Sequence, residues 1–417
     1  MLFFYRLLIN IVLILSPIIF IFRLCKKKED FYRFKEKYCF FSEKRKNGNL
    51  IWFHGASVGE IQSIIPLIEK FELDNKIHQI LLTSNTLSSS KIINKLGFEK
   101  VIHQFFPIDN NILTKKFLNY WNPKTVFFID SEIWPNMINN IKLKKIPLCL
   151  INGRITKKTF NRWIMFENFS KEIFKKFDLC LASSNNSKNF LKKLGVRNVK
   201  FFGNLKFSQV KNEKIHLNSN IRKFFSKKII WCASSTHETE EKICGMVHKI
   251  LKKKIKNLLT IIIPRHINRI NSIKEDLENL KLQVYVDERN NKLNDNTDIF
   301  LVNSYGKTKS FYSISNSVFL GGSLIKHGGQ NPLEAAKFGC NIFYGPYVHN
   351  FQDVYKYLDN AKISKKIKNL NQLKNLLHEK LLIKKNTLNN QKKLEKIGNK
   401  ILFLTKKNIN YLIHNDL

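Results

Sequence analysis

Leu50-Ile51-Trp52-Phe53-His54-Gly55-Ala56-Ser57-Val58-Gly59-Glu60-Ile61-Gln62-Ser63-Ile64-Ile65 changes character twice. The apolar run 50–53 reads as a buried strand, the glycine-bearing middle as a turn, and the stretch from Ile61 as a helix. Open α/β sheets hold ligands at such a turn. The backbone can approach closely there, and the first amides of the helix point outward. Glu60 then stands at the helix start, where the positive end of the dipole favours a carboxylate, which suits a general base. A plain capping acid fits the same position, so both roles stay open on this stretch alone. His54, Ser57 and Gly59 border it as candidates for ligand contact or support.

The pattern recurs outward along the chain. The apolar run 125–129 leads into Asp130-Ser131-Glu132-Ile133-Trp134-Pro135-Asn136, and 228–233 leads into Ser234-Ser235-Thr236-His237-Glu238. The run 258–263 leads into Pro264-Arg265-His266. The run 317–320 leads into Gly321-Gly322-Ser323, followed by His327-Gly328-Gly329-Gln330-Asn331-Pro332-Leu333-Glu334. Polar clusters at successive strand ends are the layout of a site at a sheet's carboxyl edge, since any turn residues would close a strand that only packs. Strands are expected at 50–53, 79–83, 125–129, 148–151, 179–182 and 199–202, and again at 229–233, 259–263, 283–286, 298–302, 317–320 and 341–344. Helical patterns separate them, which predicts parallel sheets covered on both faces. Pro66 falls inside the first helical pattern and should kink it or delay its regular part. Asn331-Pro332-x-Glu334 also reads as a helix start, with a capping Asn and an acid in the first turn.

With 417 residues the chain is too long for one ordinary core and fits two domains. Its seven cysteines form no Cys-x-x-Cys pair and read as buried reduced thiols. With no Asp-x-Asp pair and no His/Cys cluster, neither a metal nor a cofactor is expected. The formal charge of +40 attracts anions. Zinc-finger spacing, ribonucleoprotein-type aromatics and basic heptads are all lacking, so no nucleic-acid partner is expected, and an anionic membrane surface or a phosphorylated ligand remains. The stretch 7–22 is apolar apart from Asn10 and Ser16, holds Pro17, and is followed by Arg23 and Lys26-Lys27-Lys28. At ~1.5 Å per helical residue it reaches about 24 Å, short of a ~30 Å hydrocarbon core. The trailing basic flank and the lack of a small-residue cleavage site argue against a cleaved leader. Residues 1–28 are therefore expected to be a membrane anchor, spanning or interfacial, with the basic flank cytoplasmic. The alternative is a buried amphipathic element of the first domain. A polar, basic juxtamembrane segment follows at 29–48.

Taken in order, His54–Glu60, Ser131–Asn136, Gly203-Asn204-Leu205-Lys206-Phe207, Ser234–Glu238, Pro264-Arg265-His266, Gly321-Gly322-Ser323, Gly328–Glu334 and Gly345-Pro346 resemble the 3-deoxy-D-manno-octulosonic acid (Kdo) transferase family of glycosyltransferases. The resemblance implies an α/β GT-B fold: two Rossmann-like domains with a cleft between them, preceded by an N-terminal anchor helix. The divisions are 1–28 anchor, 29–207 acceptor domain, 208–227 linker, 228–380 donor domain and 381–417 closing helices. It implies an inverting transfer of Kdo from CMP-Kdo to the lipid A precursor on the cytoplasmic face of the inner membrane. Glu60 would be the base, with Asp130 and Lys206 assisting the transition state. The family usually has Glu where Asp130 stands, and Glu132 is the alternative should the shorter side chain fall short. Arg265 and His266 match the CMP-binding pair, Tyr305-Gly306-Lys307 a loop contacting CMP, and Asn331, Pro332, Leu333 and Glu334 the last nucleotide-binding stretch. The family has an acid where Lys307 stands, and commonly Asp where Ser208 stands. Runner-up readings are a related GT-B transferase using another nucleotide sugar, or a basic membrane-associated nucleic-acid binder.

Overall fold

The structure, a computed structural model, describes residues 1–209, 219–288, 293–381 and 387–414. The chain divides into two compact units, Met1–Gln209 with Gly398–Leu417, and Val210–Ile397. The expected linker 208–227 begins at the division. Its residues 210–218 lie outside the described residues, and Ser219–Phe225 form a helix that the sequence reading did not foresee.

The first unit opens with helix α1 (Leu2–Cys25). Strands β1 (Leu50–His54), β2 (Gln79–Ser84), β3 (Val101–Phe105), β4 (Thr125–Ile129), β5 (Leu148–Gly153), β6 (Leu179–Ala182) and β7 (Val199–Phe201) follow. Helix α2 (Val58–Glu72) connects β1 to β2 and runs on through Pro66. The sheet order is β3-β2-β1-β4-β5-β6-β7, and each neighbouring pair is parallel. β1, β2, β4, β5 and β6 are buried along their whole length, which is why they read as continuous apolar runs rather than alternations. The one polar atom of the Trp52 indole is satisfied by the Thr83 hydroxyl at 2.9 Å. The order reverses between β1 and β4, the switch point at which doubly wound sheets open a crevice.

The second unit repeats the plan with β8 (Ile229–Thr236), β9 (Leu258–Pro264), β10 (Val284–Val286), β11 (Ile299–Leu301), β12 (Ser317–Leu320), β13 (Asn341–Tyr344) and β14 (Ser364–Lys366). Its order, β10-β11-β9-β8-β12-β13-β14, reverses between β8 and β12. The expected pair of Rossmann-like units is thus present, and each carries one strand, β3 or β14, absent from the sequence reading.

Two expected segments differ from their sequence reading. α1 has 24 residues, outrunning the apolar stretch 7–22. At ~1.5 Å per residue it is about 36 Å long, enough by length and composition to cross a ~30 Å core. Residues 29–48, read as a polar, basic juxtamembrane segment, also pack onto the first unit. Glu36 is buried and its carboxylate accepts from Arg33, from the Ser42 hydroxyl at 2.6 Å and from the Phe105 amide at 2.7 Å. The described part of the closing segment 381–417 is mainly one helix, Thr387–His414. Its early turns belong to the second unit, where Asn390 donates to the Gly339 carbonyl. Its later turns belong to the first, where the Leu412 carbonyl accepts from Thr125. Gly398 is needed on that side: a Cβ there would sit 2.5 Å from the Phe207 carbonyl oxygen.

Candidate active site

Each unit gathers polar side chains at the carboxyl end of its switch strands. In the first, Ser57 is the N-cap of α2 and its side chain accepts from the Glu60 amide. The Glu60 carboxylate reaches back, accepting from the Ala56 amide at 2.7 Å and the Ser57 hydroxyl at 2.9 Å. This reciprocal arrangement is a capping box, so the capping role is built. It does not exhaust the side chain. Burial, then the negative charges of Glu132 and Asp130, push the Glu60 carboxyl above the ordinary range, against those two hydrogen bonds. Such a carboxyl favours taking up a proton. Gly59 beside it is exposed, and a Cβ built there meets nothing within 4 Å, so the helix start is open.

Asp130 ends β4 in the left-handed region at φ 60, a conformation Asp tolerates better than most residues. Its backbone continues the β4–β5 ladder, donating to the Ile151 carbonyl and accepting from the Arg154 amide. Its buried carboxyl accepts from the Ser131 hydroxyl at 3.0 Å. Burial raises it, while Lys206 and Arg154 pull the other way. Lys206 is placed by Asn204, which caps the short 3-10 turn Leu205–Ser208, and by Asn152, whose side chain accepts from the Leu205 amide at 3.2 Å. Glu132 is committed elsewhere. It accepts from Trp134 at 2.8 Å and pairs with His54 Nε2 at 3.1 Å, and the His54 side of that pair holds it in the ionised form. His54 itself is fully buried, flanked by Thr83 and stacked on Phe106 with ring centres 3.8 Å apart, an arrangement that supports Glu132. The structure therefore brings Glu60, Asp130, Glu132 and Lys206 to one edge.

In the second unit Arg265 and His266 leave β9 exposed at the sheet edge, and among the described residues Arg265 has no side-chain partner. His266 faces His237 at 5.9 Å between ring centres, and His327 faces His237 at 4.2 Å. Burial, then the charges of His327, His266, Arg265 and Arg269, push His237 down to about 4. Imidazoles and the exposed Arg265 guanidinium line this rim, which suits an anion. Sequence reasoning quoted His237 and His327 within motifs without giving them a role. It also passed over Glu240, which is fully buried. The Glu240 carboxylate accepts from the amides of His237 at 3.0 Å, Gly322 at 2.7 Å, Ser323 at 3.1 Å and Leu324 at 3.0 Å. It fixes the glycine loop after β12 against the end of β8. Gly321 is required there, since a Cβ would lie 2.5 Å from the Ser235 carbonyl.

The remaining expected donor residues sit around this edge. Asn331 accepts from the Leu333 amide at 3.2 Å, and Pro332 precedes the short helix Leu333–Lys337, whose first turn holds Glu334. Tyr305-Gly306-Lys307 follows β11, the strand paired with β9, with Tyr305 exposed and Gly306 at φ 85. Lys307 is ion-paired with Asp287 at 2.8 Å, so the side chain that departs from the resembled pattern has a partner within its own unit.

A family model described as 3-Deoxy-D-manno-octulosonic-acid transferase (kdotransferase) matches residues 32–209. The chain is 34% identical over 371 residues to a 3-deoxy-D-manno-octulosonic acid transferase of Rickettsia bellii, covering 87% of this chain and 88% of that one. It is 30% identical over 312 residues to one of Haemophilus influenzae, covering 74% and 73%. Among solved structures, a glycosyltransferase from Rickettsia africae aligns with a TM-score of 0.58 at 14% identity, over 89% of this chain and 100% of that one. The UDP-GlcNAc 2-epimerase of Neisseria meningitidis aligns with a TM-score of 0.56 at 15% identity, over 87% and 100%. At these identities the two structures speak for the fold alone, which is of the GT-B type.

Proposed function

The chain belongs to the 3-deoxy-D-manno-octulosonic acid transferase family and is a glycosyltransferase, and from that premise we propose that it moves Kdo from CMP-Kdo to a lipid A precursor with inversion at the anomeric carbon. The observation that carries this reading is the open helix start of α2. There a raised carboxyl, Glu60, lies beside a buried acid, Asp130, which is coupled to a lysine, Lys206. Glu60 takes the proton of the acceptor hydroxyl as its oxygen forms the new bond to the anomeric carbon. The bond from that carbon to the CMP oxygen breaks on the opposite face, and the electron pair leaves with the phosphate. Arg265 and His266, with Tyr305-Gly306-Lys307 and Asn331 to Glu334 around them, hold the nucleotide and offset the charge growing on it. Asp130 and Lys206 steady the developing positive centre and the donor carboxylate. The basic chain and its apolar first helix suit an anionic lipid acceptor on the cytoplasmic face of the inner membrane.

Incubating purified full-length chain with CMP-Kdo and lipid A precursor tests the reading. The expected product is heavier by Kdo, with one CMP released per unit added, and CMP but not UDP competes with the donor. Competition by UDP alone would favour another nucleotide sugar. Retention of nucleic acid unaffected by Glu60→Gln would favour the binding-protein reading.

A further inference from the structure

We infer that α1 does not cross the bilayer but lies in its plane, stapled along its length to the first unit, with its outer face immersed among anionic lipids. The inference rests on the membrane anchoring proposed above and specifies its geometry.

The staples are spread along one side of the helix from Tyr5 to Arg23. The Tyr5 hydroxyl donates to Asp109 at 2.7 Å, and Arg6 donates to Asn136 at 3.0 Å and Asn111 at 3.1 Å. Asn10 accepts from Asn110 at 2.8 Å, and Ser16 meets the Tyr38 hydroxyl at 2.6 Å. Phe20 is buried against Phe34 and Tyr38, and Arg23 pairs with Glu29 at 2.6 Å. From Tyr5 to Arg23 this is about 27 Å of helix bound to the body at ~1.5 Å per residue. A spanning helix would leave the body after its last turns. It would carry Arg6 and Asn10 into hydrocarbon without partners, and it would strip donors from Asp109 and Asn136, which are buried.

The opposite side of α1 has no protein over it. Phe3, Phe4, Leu8, Ile14, Ile18 and Ile21 are all more than 60% exposed. Composition alone allows a span, but the polar stripe faces the body and not water, so the apolar remainder needs a lipid cover on one side only. Charge identifies that cover. Lys26, Lys27 and Lys28 follow α1 directly. Beside Asn111, the first residue of the helix Asn111–Trp121, the groove of about 570 Å³ lined by Phe41, Ile112, Tyr120, Lys115 and Lys116 combines apolar floor with two ammonium groups. Lysines flanking an immersed helix meet anionic headgroups.

Topology tests this directly in the full-length chain. Cys25→Ser removes the exposed thiol, and the other six cysteines are buried. One reporter is a cysteine-bearing tag ahead of Met1, and the other is Lys95→Cys on the exposed surface of the first unit. A membrane-impermeant maleimide is applied to sealed inner-membrane vesicles. The expected result is that tag and body reporter are labelled alike, both before and after detergent, because they share one compartment. If one is labelled and the other stays silent until detergent is added, the helix spans and the inference is overturned. Chain missing from the membrane fraction altogether would instead sink the anchoring reading on which it rests.

Discussion

Glu60 closes the cap that its sequence position offers, and the base role proposed for it rests on the same side chain. Its carboxylate closes the capping box and, raised by burial and by Glu132 and Asp130, is poised as a base. Glu60→Gln should therefore lower stability by about 0.5–2 kcal/mol, through one mismatched cap hydrogen bond. It should also lower transfer by about 10²–10⁴-fold, the worth of a positioned base. Melting curves and turnover check the two separately, and a stability loss with intact turnover leaves only the cap. The pH profile gives the sign. A base must be ionised, so the acid limb of kcat/KM should lie above the ordinary Glu value of ~4.3, and activity should fall as pH drops through it. Glu132→Gln removes one negative neighbour, so the limb should move to lower pH. Gly59→Ala adds a methyl into open space at a helical position, and should raise stability by about 0.5–1 kcal/mol. Transfer should nonetheless fall if the acceptor needs that space, and unchanged transfer would remove the helix start from the acceptor site. At this scale the sequence placed candidate residues just after a strand end, as with Asp130 and Arg265, or in the first turn of the next helix, as with Glu60. Glu240 was not legible. It reads as one of two first-turn acids, and its partners Gly322, Ser323 and Leu324 lie more than eighty residues away.

Among elements, the loop after β12 depends on that one carboxylate. Glu240→Gln replaces an acceptor by an NH₂ group facing amides and should cost about 2–4 kcal/mol. The KM for CMP-Kdo should rise more than kcat falls, because the loop borders the donor edge and Glu240 is too buried to touch a ligand. Equal loss of both parameters would contradict that reading. A second clamp sits beneath β9 and β11. Asp298 accepts from the Gln283 amide at 3.0 Å and pairs with His248 and Lys252, and those partners hold its carboxyl well below the ordinary range despite burial. Its contribution is fully present above the unfolded value of ~3.9 and is lost as pH falls through the depressed folded value. Asp298→Asn should cost about 1.5–3 kcal/mol near neutral pH and flatten the acid side of the stability curve, as denaturant titrations at several pH values would read. Most strands were legible because burial on both faces makes them apolar without interruption. β3 (Val-Ile-His-Gln-Phe) and β14 (Ser-Lys-Lys) were not, because polar side chains break the pattern. His103 and Gln104 are buried all the same, with His103 partnered by Ser84 and Arg33. Residues 29–48 read only as a polar, basic juxtamembrane segment, because nothing in their charge pattern marks Glu36 as a buried hub between Arg33, Ser42 and β3.

For the whole molecule, the membrane anchoring proposed above draws on two forces that respond differently to salt. Among the described residues, the two core clusters beside the sheets include no residue of α1, whose buried Phe20 packs on Phe34 and Tyr38, so removing residues 1–24 should leave both units folded. The truncation strips Tyr5 from Asp109, whose buried carboxyl, pushed up to about 6, keeps only its amide donors from Asn136 and Met137. A charge-assisted hydrogen bond of that kind is worth about 1.5–3 kcal/mol, so a lower but cooperative melting transition is expected. What remains at the membrane is the attraction of a strongly basic body for anionic lipid, about 1 kcal/mol per basic residue near the surface. The Debye length shrinks from ~10 Å at 0.1 M to ~3 Å at 1 M salt, so that attraction is screened across this range. Burial of the exposed phenylalanines, leucines and isoleucines of α1 is not screened. In flotation with phosphatidylglycerol-containing vesicles, the full chain should stay bound from 0.1 to 1 M salt, while the truncated chain should float at low salt and sediment at high salt. CMP-Kdo binding should survive the truncation, since the residues proposed for the nucleotide all lie downstream of residue 264, and Asp130 and Lys206, proposed for the sugar, also lie outside the removed segment, while transfer to vesicle-borne acceptor should fall with rising salt. A truncated chain that stays bound at 1 M salt would shift the anchor from α1 to the body. One that aggregates would mean that α1 completes the first core, the alternative that its sequence left open.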